Sequence, residues 1–226
     1  MKIGHRLVFS VLMLVIGLLI AKPSQALANY YDGGYKVILN LGSSGLIETQ
    51  NPYVSSNGSS SAWVMSAAPG PYNPPAQNYV QSGWAKDAGF SGPQYFVEYS
   101  SDVTGLWDIR YIGAASVGST NRYEVSFDNT GGAAMRVNGT DYLYASGSTL
   151  QWLPTHIEFL GEIYDPSDQS PGSNYNPVSF GGLYYKDTSQ SWHSNPLCYK
   201  WADLSTQRNN ILSSGSSQWE IWDSRY

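Results

Sequence analysis

From Tyr79 onward the chain runs through short segments in which apolar and polar residues alternate. Tyr79–Lys86, Tyr95–Ser100, Trp107–Ile112 and Arg122–Asp128 come first. A period of two marks a strand with one face buried. Ala133–Val137, Leu150–Leu153, His156–Tyr164, Pro177–Lys186 and Gln218–Trp222 continue the series, and Tyr35–Leu41 precedes it. Asn129–Gly132 and Asn138-Gly139 are turn signals, the second of the hairpin type. Ala67–Asn78 holds Pro69, Pro71, Pro74 and Pro75 and predicts a loop, because proline cannot donate to a ladder. One stretch departs from the pattern: Leu197, Trp201 and Leu204 stand at helical spacing and predict a turn or two of helix within Leu197–Ile211. Short strands joined by turns predict an all-β fold, an antiparallel sandwich or barrel built as one domain.

The first 28 residues read differently. Lys2, His5 and Arg6 open the chain, Leu7 to Ala21 is apolar, and Ala26-Leu27-Ala28 is a small-x-small cleavage signal. That is the layout of a secretory signal peptide, so residues 1–28 are expected to be removed on export and the protein to work outside the cell. Residues 29–61 are rich in Gly, Ser and Asn and are expected to be either a short pro-region or the first strand, with the sandwich domain spanning 62–226.

Composition agrees with a packed β domain. Aromatics make up 14% and charged residues 13% of the 226-residue chain, the reverse of a disordered sequence. Removing Lys2, Arg6 and Lys22 leaves nine basic against 17 acidic side chains, a net charge of −8. Nucleic acid and anionic membrane surfaces repel such a protein, so neither is an expected partner. Cys198 is alone, which rules out an intrachain disulfide; a Cys/His pairing with His193 or His156 has no surrounding motif. No metal-ligand spacing is present, and neither metal nor cofactor is expected.

Two segments carry candidate chemistry. In a strand over His156–Tyr164, Ile157, Phe159 and Ile163 face a core, while His156, Glu158, Leu160, Glu162 and Tyr164 share the other face. Two carboxylates on one face can influence each other's protonation, although a solvated face with two acids has the same pattern. In Tyr79–Trp84, Tyr79, Gln81 and Gly83 share one face; Val80, Ser82 and Trp84 share the other. The Gln81 amide has N–H donors of the kind that stabilise a developing oxyanion.

These segments together carry a resemblance. Ser-Ala-Trp63-Val, then Val80-Gln81-Ser82-Gly83-Trp84, then Tyr95-Phe96-Val97-Glu98-Tyr99, then Ile157-Glu158-Phe159-Leu160-Gly161-Glu162 resemble, in order and spacing, the glutamic peptidases: the fungal eqolisins and the plant neprosin group. Gln81 matches the eqolisin kind, and Leu160–Tyr164 followed by Gln169–Ser173 is more similar to the neprosin side. The likeness spans roughly Ser61 to Asp187, and it has Phe159 where the family usually has Trp after its catalytic Glu. It implies a concanavalin-like, jelly-roll sandwich of two antiparallel sheets and a secreted, monomeric endopeptidase acting on polypeptides in acid. Glu158 would be the general base and Gln81 the oxyanion donor. Trp63, Trp84 and Tyr95 would wall the substrate groove, with Glu98 and Glu162 as accompanying carboxyls.

A sandwich also hosts sugar-binding modules, and fold alone does not decide between them. The aromatic content fits sugar stacking, and Asp165, Asp168 and Asn174 lie in a loop that resembles no calcium loop closely. A carbohydrate-binding module and an inactive peptidase relative are therefore the competing expectations.

Overall fold

The structure is a computed structural model that describes residues 29–69 and 78–226. The expected signal peptide and most of the proline-rich loop lie outside the described residues. The strands in chain order are β1 (Tyr30–Val37), β2 (Gly42–Glu48), β3 (Ser59–Ala68), β4 (Asn78–Asp87), β5 (Gln94–Ser101), β6 (Leu106–Ala114), β7 (Thr120–Phe127), β8 (Ala133–Val137) and β9 (Thr140–Ala145). After a single helical turn, α1 (Gly147–Leu150), come β10 (His156–Ile163), β11 (Val178–Lys186), β12 (Trp192–Ser194), β13 (Tyr199–Ala202), β14 (Gln207–Asn209) and β15 (Trp219–Asp223). They form two antiparallel sheets. The first has the order β13-β1-β10-β3-β4-β5-β6 and the second β14-β15-β11-β2-β7-β8-β9, with β12 paired to β11. The fold is all-β, a two-sheet sandwich.

Alternation decides what fills it. Trp84, Phe127, Phe159, Phe180, Ile47 and Tyr123 point between the sheets and are buried. Trp219 joins them, stacked on Phe180 with ring centroids 6.0 Å apart. Gly34 faces the same indole, and a Cβ there would sit 2.5 Å from a ring carbon, so only glycine lets β1 approach. Asn138 (φ 51°) and Gly139 (φ 80°) make the expected hairpin turn between β8 and β9.

The structure corrects four expectations. The strand predicted over Tyr35–Leu41 ends at Val37, because the Asn40 amide donates to the carbonyls of Ile38 and His156 while the chain crosses to the second sheet. The strand predicted over Leu150–Leu153 is the end of α1 followed by irregular chain; Ser146 caps the turn and Gln151 closes it with φ 55°. The helix predicted within Leu197–Ile211 is instead β13 and β14, since pairing with β1 and β15 overrides the local spacing. Residues 29–61 supply an inner strand to each sheet, so the sandwich begins at β1 rather than at residue 62.

Candidate active site

The outer face of the first sheet mixes carboxyls and amides with an apolar cluster of Trp63, Met65, Phe96 and Leu160. Because directly opposed residues in an antiparallel pair share a face, strand register arranges its side chains in rows. One row runs Tyr35, Glu158, Met65, Gln81, Glu98, Ile109 across β1, β10, β3, β4, β5 and β6. The next contains Leu160, Trp63, Gly83 and Phe96, and the one beyond it Tyr31, Glu162, Ser61 and Ala85. Gln81 and Glu158 thus stand two strands apart, roughly 10 Å between backbones, with Met65 between them. Glu158 and Glu162 are separated by Leu160, roughly 13 Å along β10.

A cleft of about 430 Å³ opens over these rows, lined by Trp63, Met65, Tyr79, Gln81, Glu98, Glu158 and Glu162, with Asn29, Tyr31, Ser100, Asp102 and Trp201 completing its walls. A smaller hollow of about 120 Å³ continues past Gln81, Glu98 and Glu162 toward Phe96, Ile109 and Tyr111.

Glu98 organises one side. It accepts hydrogen bonds from the Tyr79 hydroxyl (2.7 Å), Trp107 Nε1 (2.6 Å) and Gln81 Nε2 (2.5 Å). The last contact fixes which end of the Gln81 amide is nitrogen, and a primary amide keeps its second N–H for another acceptor. On the other side, Glu162 accepts from Trp63 Nε1 (2.9 Å) and from Asn29 Nδ2. No group among the described residues hydrogen-bonds the Glu158 carboxyl.

Burial governs protonation here. Glu158 is pushed up to about 7 by desolvation, with the charge of Glu162 adding to it. Glu162 is also raised to about 7: burial dominates, and the Trp63 and Asn29 donors oppose the repulsion from Glu98 and Asp87. Burial raises the Tyr31 and Tyr79 phenols too, so both are neutral donors. The site therefore holds two carboxyls, Glu158 and Glu162, that are neutral in mild acid, a third at Glu98 that accepts three hydrogen bonds, and one oriented amide.

Five of the seven residues singled out in the sequence, Trp63, Gln81, Glu98, Glu158 and Glu162, line this cleft. Trp84 and Tyr95 do not. Trp84 is fully buried between the sheets and donates its indole N–H to the Glu48 carbonyl at 2.9 Å. Tyr95 opposes Trp84 in the register and packs against Tyr123, so neither walls a groove. Their place follows from parity, since Trp84 is three residues from Gln81 and must face the other way. Of the residues the sequence did not single out for the site, Tyr79 was legible by the same rule. Tyr31 and Trp201 were not: they meet at 5.5 Å only because β1 and β13, far apart in the chain, are neighbours.

Other expectations find different outcomes. Cys198 is buried with its thiol pushed up to about 12 by desolvation, and His193 and His156 bond Asp187 and Thr155 instead, so no Cys/His nucleophile forms. Asp168 accepts the backbone N–H groups of Ser55 (2.7 Å), Ser59 (3.1 Å) and Asp165 (3.2 Å), which makes it a clasp between loops rather than part of a calcium site. Among the described residues no group of three or more His, Cys, Asp or Glu is arranged to hold a metal ion.

No family model and no curated protein sequence matches the chain. Solved structures do. Scytalido-glutamic peptidase, in complexes with transition-state analogues, is similar with TM-scores of 0.58 and 0.60 at 12% identity, over 86% of this chain and 98% of that one. SCP-B, a member of the eqolisin family of peptidases bound to the tripeptide Ala-Ile-His, is similar with a TM-score of 0.58 at 11% identity over the same shares. At such identity the likeness is one of fold: the chain has the sandwich of the glutamic peptidases.

Proposed function

We propose that the protein is an exported endopeptidase of the eqolisin kind, in which Glu158 and Gln81 hydrolyse a peptide bond without metal or covalent intermediate. One observation carries this reading. An oriented carboxamide and a carboxyl with no hydrogen-bond partner among the described residues, distant in sequence, line one cleft in a single cross-strand row. The eqolisin-like fold and the peptide-derived ligands of its structural neighbours support it. The net negative charge and the apolar and aromatic cleft walls suit a polypeptide rather than a polyanion.

The proton inventory refines the expected mechanism. A general base must start ionised, yet burial keeps Glu158 neutral below about 7. In acid the carboxyl therefore works with both oxygens. Its O–H donates to the scissile carbonyl oxygen while its other oxygen takes a proton from the attacking water. Water's oxygen bonds to the carbonyl carbon, and the free Gln81 N–H donates to the carbonyl oxygen as charge develops there. With the carbonyl oxygen protonated the intermediate is a gem-diol. Glu158 then passes the proton taken from water to the departing nitrogen, the C–N bond breaks, a gem-diol hydroxyl returns its proton to Glu158, and a carboxylic acid and an amine leave.

Casein or peptide hydrolysis across the acid range tests this. Glu158→Gln is expected to lower kcat by about 10²–10⁴-fold and Gln81→Ala by about 10²–10³-fold. In the parent, activity falls as pH rises past about 7, because Glu158 loses the proton it must donate. Undiminished cleavage by Glu158→Gln overturns the assignment. Glycan binding without cleavage in the parent would point to the sugar-binding alternative, and neither activity to an inactive relative.

A further inference from the structure

Asn29 occupies a position the peptidase reading does not use. It lines the cleft beside Glu158 and Glu162, and its side-chain amide donates to Glu162 Oε1 and reaches the Tyr31 hydroxyl. It is also the residue immediately after Ala26-Leu27-Ala28, the small-x-small signal that a leader peptidase reads. As long as the Ala28–Asn29 bond is intact, the nitrogen of residue 29 is a neutral amide. Hydrolysis of that bond adds water across it, leaves a carboxylate on Ala28, and turns the nitrogen into an α-amine that is protonated below about pH 8.

Covalent geometry limits how far that charge can be from the site. Within one asparagine the α-nitrogen and Nδ2 lie at most about 5 Å apart, and Nδ2 is already hydrogen-bonded to Glu162. The α-nitrogen is thus within about 8 Å of the Glu162 carboxyl, inside the range that salt leaves unscreened. Among the described residues, the groups facing Glu162 include no cation. They are Tyr31 on β1, Trp63 on β3, Tyr79 and Asp87 on β4, Glu98 on β5, Tyr111 on β6, Glu158 on β10 itself and Tyr164 just beyond it.

We propose that cleavage after Ala28 completes the cleft chemically, the α-ammonium freed on Asn29 becoming the cationic partner of Glu162. The consequence for catalysis rests on the peptidase reading, although the charge pairing does not. Before cleavage, Glu158 and Glu162 titrate in the same range and compete for protons. A cation beside Glu162 favours its ionised form and separates the two: in the pH interval between their titrations Glu162 is the carboxylate while Glu158 keeps the proton as the acid. Two carboxyls driven apart in this way acquire distinct roles. Export and activation would then be one event, since the bond broken to release the protein also creates the missing charge.

The experiment compares two forms of the protein: one beginning at Asn29, and one carrying a Ser-Gly extension before Asn29, which moves the ammonium roughly 7 Å along the chain. Glu162 is followed by carboxyl-carbon NMR titration, its signal assigned with Glu162→Gln. Glu162 is expected to titrate about one unit lower in the form beginning at Asn29, and the α-amine of that form to titrate above its ordinary range. Asn29→Ala, which keeps the ammonium and removes the amide, should retain most of the difference. Superimposable Glu162 titrations in the two forms overturn the inference. Peptide hydrolysis is read separately: if neither form cleaves, the peptidase reading fails and the titrations alone decide the charge pairing.

Discussion

β10 presents two faces that are buried to a similar degree and are chemically opposite. Ile157, Phe159 and Ile163 point between the sheets and are inaccessible to solvent. Glu158 and Leu160, on the cleft face, are 7% and 0% exposed. On the inner face, loss of water contact is the source of stability. On the outer face the same loss opposes ionisation and holds two carboxyls near 7, well above their ordinary range. β4 repeats the division, with Val80 and Trp84 inside and Tyr79 and Gln81 outside. Burial alone thus does not distinguish scaffold from site; what distinguishes them is whether the buried atoms have anything to lose by leaving water.

The largest expected effect comes from breaking the inner face. Trp84→Ala removes a fully buried indole and leaves the Glu48 carbonyl without its donor. The expected cost is about 3–5 kcal/mol, read as a drop in the urea midpoint. Glu158→Gln, equally buried, should leave the midpoint at about pH 4 within about 0.5 kcal/mol of the parent. A comparable loss in both variants would mean that the two faces are not energetically distinct.

A second, smaller effect is pH dependence. Asp32, on the inner face of β1 and bonded by Asn209 Nδ2 at 2.6 Å, is also raised by burial to about 7. With Glu158 and Glu162 it belongs to a set of carboxyls whose folded pKa exceeds the unfolded value. Between about pH 4 and about pH 7 the folded protein therefore binds more protons than the unfolded chain. Their contribution is full below the ordinary carboxylate range and is lost as pH rises through about 7, on the order of 3 kcal/mol per carboxyl. Asp128 has the opposite sign, held down to about 2 chiefly by the Thr130 hydroxyl, so its contribution is lost as pH falls from its ordinary range through about 2. Asp223 behaves likewise: its bonds from Arg225 outweigh the cost of burial and lower it. Urea unfolding should show greatest stability near pH 4 and a decline toward pH 7.5. Glu158→Gln combined with Glu162→Gln should remove most of that decline. Stability rising across the same interval in the parent would contradict the account.

How much of this could be read in the sequence follows from the same division. Period-two alternation gave the two faces of β4 and β10 correctly, and with them the neighbours of Gln81 and Glu158. It also placed Trp84 opposite Gln81, so the expectation that Trp84 walls the groove contradicted the pattern it rested on. Tyr31 and Trp201 left no local trace, because the pairing of β1 with β10 and β13 is a property of the assembled sheet. The helical spacing of Leu197, Trp201 and Leu204 misled for that reason: Trp201 opposes Gly33 across a ladder and packs on Tyr31 and Tyr35. Glu98 stood out as a carboxyl near the motif, but its role as the acceptor for Tyr79, Gln81 and Trp107 depends on β5 lying between β4 and β6.

The finest test of the comparison uses two adjacent residues. Tyr79 and Val80 are covalent neighbours on opposite faces of β4. Val80→Ala deletes buried methyl groups between the sheets, where the cavity cannot fill with water, and should cost about 1–2 kcal/mol of stability. It makes no contact in the cleft, so kcat should stay within about twofold of the parent. Tyr79→Phe keeps the ring and removes one of the donors to Glu98, leaving Trp107 and Gln81 in place. A single hydrogen bond contributes about 0.5–1.5 kcal/mol net, and the cleft can supply water where the hydroxyl was. The expected result is little change in the urea midpoint and a fall in kcat of about tenfold, with KM unchanged, because the loosened carboxylate no longer fixes the Gln81 amide. Stability and turnover measured on both variants should therefore move in opposite columns. If Tyr79→Phe lowers stability as much as Val80→Ala and leaves kcat alone, the Glu98 cluster is scaffold, and the functional face narrows to Gln81, Glu158 and Glu162.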